Sequence, residues 1–259
     1  MKKKIFLAYA LFLFAFSAFA KIPEGDLLDE VKPDENGRID ILTVFSHQDD
    51  ESIYGGGAVL KALKDPRVHL HILCMTFDQT SGAKDALGIT PDHIGRIRVQ
   101  ELETAAAVYQ AEEVIQFQYA SRTLGKQDAE KVIAEIKEVI DRTGAEIVIT
   151  HDPAGITGHW DHVACSKVAT QAFTRSNAQV LYYPVFPEWF YPIFLSFQTY
   201  RNHGPAAAPD FKVDIREEKK LKRMACYAHA SQMRFTEVGN LTELFLLMNN
   251  EYFARVTKP

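Results

Sequence analysis

Cysteine is scarce in this chain: three in 259 residues, Cys74, Cys165 and Cys226, far apart in sequence. No Cys-x-x-Cys pair occurs, which excludes a thiolate zinc finger, and an odd, sparse set is not a disulfide framework. We read them as three buried thiols, with Cys165–Cys226 a candidate pair if export permits a bridge. Basic residues are not in excess: 29 Lys and Arg stand against 34 Asp and Glu, a net charge of −5. That balance argues against nucleic acid as a partner. Internal repeats and low-complexity stretches are absent. No Gly-Lys-Ser/Thr follows Gly55-Gly56-Gly57, so these glycines are read as close helix–sheet packing rather than a phosphate loop.

Long apolar runs are also missing beyond the first twenty residues. There, Lys2, Lys3 and Lys4 precede an apolar run over 5–16, and Ala18-Phe19-Ala20 supplies a small-x-small cleavage site before Lys21 and Pro23. The run is short for a membrane span, and the pattern is that of a cleavable secretory signal over 1–20, followed by one domain over 21–259. A retained N-terminal anchor is the alternative. Cleavage would remove three lysines and no acids, leaving 26 basic against 34 acidic residues and a net charge of −8. The expected location is secreted or periplasmic, with no transmembrane span in the mature chain. The sequence carries no signal for an oligomeric state.

What is present is an alternation of strand and helix patterns. Strands are expected at Ile39–Phe45, 68–75, Glu113–Tyr119, 146–150 and 179–185, rich in β-branched residues. Helices are expected over 51–63, 92–110, 127–143 and 160–176. The clearest is 127–143, where Ala129, Val132, Ile133, Ile136, Val139 and Ile140 repeat at helical spacing and Gly144 supplies the stop. A short strand over 211–215 and helices over 217–233 and 241–256 complete the reading. Alternating βαβ units predict an α/β fold: a Rossmann-like three-layer αβα single domain with a mostly parallel sheet. The stretch 184–209, with five prolines and seven interspersed aromatics, is read as an irregular segment covering the core, with a substrate platform, a subunit contact or a membrane-surface contact as the alternatives. His69 and His71 share a strand face and are read as strand-lining, and Asn240-Leu241-Thr242 as a helix start.

Two polar clusters lie just beyond predicted strands: Ser46-His47-Gln48-Asp49-Asp50-Glu51 and the run from His151 to His162, which includes Asp152-Pro153 and Gly158-His159-Trp160-Asp161-His162. Ligands of open parallel sheets bind outside the carboxyl ends of strands, so both clusters should project toward one edge. Imidazole and carboxylate are ordinary zinc ligands, and a catalytic zinc takes three protein ligands and leaves one position open. His47 and Asp50, three residues apart at a strand-to-helix turn, can point to one side. Spacing does not choose between His159 and His162, or between Asp49 and Asp50. Taken alone, Asp49-Asp50-Glu51 is also what an acidic first helical turn looks like, and the two histidines what a surface helix start looks like.

These residues resemble the LmbE-like family, which includes the N-acetylglucosaminyl-phosphatidylinositol de-N-acetylases (PIG-L). Its Ala-His-Pro-Asp-Asp-Glu segment is matched by Ser46 to Glu51, its Gly-His-x-Asp-His segment by Gly158 to His162, and a preceding Asp-Pro by Asp152-Pro153. Weaker matches are Arg98-Val99-Gln100-Glu101-Leu102, and Lys222 with His229-Ala230-Ser231-Gln232. The resemblance spans about residues 39–232. It implies a zinc-dependent deacetylase, with another divalent transition metal as the alternative ion. The implied substrate is an N-acetylated amino sugar of the N-acetylglucosamine type or its glycoconjugate. It further implies that His47, Asp50 and His162 bind the metal, that Asp49 is the general base, and that His159 is the charged or proton-donating group beside the oxyanion, oriented by Asp161. Arg98 is implied to contact substrate, with His229 and Gln232 near the site. Gln48 and Ser46 depart from the family's proline and alanine; the turn loses proline's fixed φ, and Gln48 is a further candidate substrate contact. A metal-containing sugar-binding protein without turnover, and a zinc amidase acting on a non-sugar amide, are the rival readings.

Overall fold

The computed structural model describes residues 22–190 and 206–258; the expected signal over 1–20 lies outside them, as does 191–205 of the aromatic, proline-rich segment. Seven strands form one sheet: β1 (Ile39–Phe45), β2 (Val68–Thr76), β3 (Glu113–Tyr119), β4 (Ile147–Thr150), β5 (Val180–Val185), β6 (Phe211–Asp214) and β7 (Asn250–Val256). Their order is β3-β2-β1-β4-β5-β7-β6. The first five are parallel, and β7 runs antiparallel to both β5 and β6. The chain runs outward from β1 to β2 and β3, then returns to the other side of β1 with β4. Strand order therefore reverses between β1 and β4, which is where doubly wound sheets open a crevice.

Side chains alternate across β1 with the period of two that a pleated strand imposes. Ile39, Ile41 and Phe45 enter one core, and Leu42 and Val44 the other. The first core is covered by α2 (Gly56–Ala62), α4 (Pro91–Tyr109), α8 (Lys219–Ala228) and α10 (Val238–Leu247); the second by α5 (Ala129–Thr143) and α7 (Trp160–Arg175). This is the expected single α/β domain of three layers. On α5, Val132, Ile133, Ile136, Val139 and Ile140 are buried; Asp128 caps its start and Gly144, at φ 69°, its end. All three cysteines are free and buried. Cys165 lies in one core and Cys226 in the other, with the sheet between them, so the candidate Cys165–Cys226 bridge is not formed.

Three helix expectations are corrected. The helix expected over 51–63 is two pieces, α1 (Asp50–Ile53) and α2, because Gly55 turns to φ +92°, outside helical space. A Cβ on Gly57 would lie 2.8 Å from the Ile215 side chain, so the glycines do serve close packing. The helix expected over 217–233 breaks at His229 (φ −80°, ψ 55°) into α8 and α9 (Ala230–Phe235). The helix expected over 241–256 stops at Leu247, and Asn250–Val256 is strand β7. Two short helices, α3 (Ala83–Leu87) and α6 (Gly155–Gly158), were not foreseen. Of the 184–209 segment, the described part packs on the core: Phe190 is buried and Phe186 stacks on Phe245 at 5.0 Å.

Candidate active site

The first cluster leaves the carboxyl end of β1, the second that of β4, and these strands are hydrogen-bonded neighbours with Val44 opposite Thr150. The topology thus joins the segments at the switch point, around a cavity of about 230 Å³ lined by His47, Asp49, Asp50, Arg98, His159 and His162 among others.

Three atoms converge there. His47 Nδ1 lies 3.0 Å from His162 Nε2 and 3.5 Å from Asp50 Oδ2, and His162 Nε2 lies 3.4 Å from the same oxygen. Tetrahedral ligands at zinc-like bond lengths are separated by about 3.3 Å, so the triangle has the size of a metal's ligand face. The outer nitrogen of each ring is already engaged. His47 Nε2 faces Asp161 Oδ2 at 3.2 Å, and His162 Nδ1 faces the Gly155 carbonyl at 3.0 Å. These are the outer partners that fix the tautomer of metal-binding histidines. They turn two nitrogen lone pairs and a carboxylate oxygen toward one point, an arrangement that calls for a cation. Asp50 is held low: burial opposes ionisation, but neighbouring His162 and His151 outweigh it. His47 is raised to about 9, because Asp161 and Asp50 outweigh burial, so a cation at this point would take the place of its Nδ1 proton.

His151, given no role from the sequence, lies 3.3 Å from Asp50 Oδ2 and is fully buried. Its ring stacks on His162 at 4.0 Å and 9°. Lone pairs lie in the ring plane, so two parallel rings cannot aim at one ion. The His47 ring is inclined 48° to His162 and can. His151 therefore supports Asp50 and His162 from behind. Its only signal in sequence was its place directly after β4.

Asp49 occupies a strained backbone position, φ 114° and ψ −29°, which costs a non-glycine residue about 1–3 kcal/mol and persists only where surroundings over-determine it. Its carboxylate meets Arg98 at 3.0 Å. Its pKa is raised to about 6, chiefly by burial, with Arg98 opposing and Asp50 adding. Arg98 lines the cavity but is buried and also pairs with Asp78 and the Gln48 carbonyl; it grips Asp49 rather than offering a free cation. Asp78 had no signal in sequence, since its partner lies twenty residues on, on α4.

His159 lines the cavity beside His47, ring centroids 4.7 Å apart. Its Nδ1 accepts from the Asp161 amide at 3.2 Å, which puts a neutral ring's proton on Nε2. Burial, then the neighbouring His47, lower its pKa to about 4, so it is neutral rather than charged at neutral pH. The Asp161 carboxylate is 4.0 Å from His159 Nδ1 and serves His47 and the amides of Arg122 and Leu124 instead. The backbone of Asp161, not its carboxylate, orients His159. Gln232 lines the cavity and donates to Ser81 Oγ at 2.8 Å. His229 does not line it: fully buried, it meets Glu51 Oε1 at 2.8 Å. Gln48 is also buried, donating to the Thr76 carbonyl at 3.0 Å and Gln116 Oε1 at 2.9 Å. It braces the turn instead of reaching a ligand.

Fold and site define a Rossmann-like α/β protein with a metal-type His/Asp centre at its switch point. A profile of the PIG-L family, GlcNAc-PI de-N-acetylase, matches residues 42–173, half of the chain, and the chain belongs to that family. It is 26% identical over 231 residues to a probable N-acetylglucosaminyl-phosphatidylinositol de-N-acetylase of Schizosaccharomyces pombe, covering 84% of this chain and 87% of that protein. The N,N'-diacetylchitobiose deacetylase of Pyrococcus horikoshii superposes with TM-score 0.63 at 20% identity, covering 89% of this chain and 85% of that one. The 4-carboxy-2-hydroxymuconate hydratase GalB of Pseudomonas putida KT2440 superposes with TM-score 0.65 at 17% identity, covering 85% and 97%. Fold alone therefore does not choose the reaction.

Proposed function

We propose that the protein is a zinc-dependent deacetylase that hydrolyses the N-acetyl group of an N-acetylglucosamine-type sugar or glycoconjugate. The observation that carries this reading is the convergence of His47 Nδ1, Asp50 Oδ2 and His162 Nε2 beside the Asp49 carboxylate in one cavity. The names of the relatives support the substrate class. His47, Asp50 and His162 would hold the ion, with His151 and Asp161 behind them. A bound divalent ion supplies Lewis acidity, polarising a carbonyl oxygen and acidifying water from about 15.7 toward about 7.

The remaining work falls to the chain's own groups. Asp49, ionised above about pH 6, takes a proton from the attacking water as its oxygen bonds to the acetyl carbon. His159 Nε2–H donates a neutral hydrogen bond to the developing oxyanion; removing one such donor raises the barrier by about 2.7–4 kcal/mol. The amide C–N bond breaks as Asp49 passes its proton to the nitrogen, giving acetate and the free amine. Arg98 keeps Asp49 aimed throughout.

The reading extends to location. The pattern of residues 1–20 directs export, so a cell-wall, surface or environmental glycan is the substrate we favour. Mass spectrometry of the natively expressed protein should find Lys21 at the N-terminus; an intact Met1 on a cytosolic protein would remove this extension. Acetate release from a panel of N-acetylated sugars, with and without chelator, tests the activity itself. Chelator-sensitive release is expected, and no release from any sugar overturns it.

A further inference from the structure

We infer that His229 is a positioning residue for Asp49, acting through the carboxylate of Glu51. The inference rests on Asp49 being the base of the proposed reaction, and it concerns how that base is held.

Asp49 sits at positive φ, where a non-glycine residue needs outside support. Its side chain has Arg98. Its backbone has Glu51, whose Oε2 accepts from the Asp49 amide at 2.9 Å. Glu51 is itself pinned at its other oxygen, by Ser52 Oγ at 2.6 Å and His229 Nε2 at 2.8 Å. Glu51 and His229 are both buried, and neither lines the cavity. The His229 ring makes its one side-chain hydrogen bond to Glu51 among the described residues. Its own place is fixed by the break between α8 and α9. There Ser231 gives its amide and hydroxyl to Glu101 at 2.7 and 2.6 Å. Glu101 lies on α4, the helix that carries Arg98. One helix therefore anchors both supports of Asp49, side chain and backbone.

Without His229, the buried Glu51 carboxylate loses a charge-assisted donor, and Oε1 is left with Ser52 Oγ alone. The Asp49 amide is then released and the carboxylate loses its aim, while the three converging atoms keep their own partners. Small misplacements of a reacting group lower rate steeply.

The test uses the full metal-loaded protein with His229→Leu, which removes the donor, His229→Gln, whose amide can reach Glu51, and Ser52→Ala, which removes only the second donor. In His229→Leu, kcat on an N-acetylated sugar should fall at least about tenfold with KM within about twofold and metal content unchanged. Hydrogen exchange at the Asp49 amide should accelerate. His229→Gln should recover most of both properties, and Ser52→Ala should show a smaller change of the same pattern. A rise in KM with kcat intact would make His229 a substrate contact. Parallel loss of metal and fold in the glutamine variant would make it merely structural. Unchanged kcat and exchange in His229→Leu, or in Ser52→Ala should the leucine variant not fold, overturns the inference. If the wild type releases acetate from no sugar, the deacetylase reading fails, while exchange at the Asp49 amide still decides whether His229 holds it.

Discussion

The two ends of strand β1 carry clusters built from the same residue types. At the carboxyl end stand His47, Asp50 and His162; at the amino end stand Asp40, His71 and Glu112, also close enough to share an ion. The difference is a cation the chain already supplies. Arg38 donates to both oxygens of Asp40 at 2.7 Å and to Glu112 at 2.6 Å, and these bonds hold Asp40 low against its burial. His71 completes the pairing, 2.8 Å from Asp40. At the carboxyl end no lysine or arginine reaches the three converging atoms among the described residues. Of the two arginines that line the cavity, Arg98 is committed to Asp49 and Asp78, and Arg122 makes no ion pair with the three among the described residues. A His/carboxylate cluster becomes a site when its lone pairs face one another across a gap at the switch point; filled by its own arginine, it becomes a structural clasp. His69 and His71, read from the sequence as strand-lining, are approached by Asp40, Glu112 and Glu113. Arginines already pair with those acids, Arg38 with Asp40 and Glu112 and Arg142 with Glu113.

The largest effect should come from matched changes at the two ends. Asp50→Asn should abolish both metal retention and acetate release, whereas Asp40→Asn should leave both within about twofold of wild type. Elemental analysis of the two proteins decides it, and equal metal loss in both would erase the distinction.

A middle-sized effect separates Asp49 from the converging atoms beside it. Asp49→Asn should keep its metal while acetate release falls by about 10²–10⁴-fold. In the wild type, the base works only when ionised and its pKa is raised to about 6. The rate should therefore climb as pH rises through that value and fall below it. Metal loss in Asp49→Asn would exchange the roles of the two aspartates, and a pH-independent rate on the acid side would point to another base.

The smallest effect concerns the clasp. Arg38→Met should destabilise the fold by about 1–3 kcal/mol, the consequence of leaving buried acceptors unmatched, with acetate release unchanged. Denaturant unfolding measures the first and the acetate assay the second. The same variant should acquire a second, weaker divalent ion at Asp40, His71 and Glu112. Its failure to do so would show that Arg38 is not what separates the two ends.

Much of this was legible in the residues. The β-branched runs, the 3.6-residue stripe on 127–143 and the polar clusters at strand ends specified a parallel α/β sheet and both halves of the site, because periodicity and strand-end chemistry are local properties. Strand β7 was not legible: Leu246, Leu247 and Met248 extend a helical pattern, and Asn250–Val256 becomes a strand only because β5 and β6 leave a slot between them. The choice among Asp49, Asp50, His159 and His162 was likewise not local. In the reading proposed above it rests on ring planes, on which nitrogen each outer partner occupies, and on where α4 brings Arg98. These are set by contacts between segments a hundred residues apart, such as His47 with Asp161. The sequence alone determined which groups are available and that β1 and β4 present them; only the packing of the two segments decided which lone pairs meet.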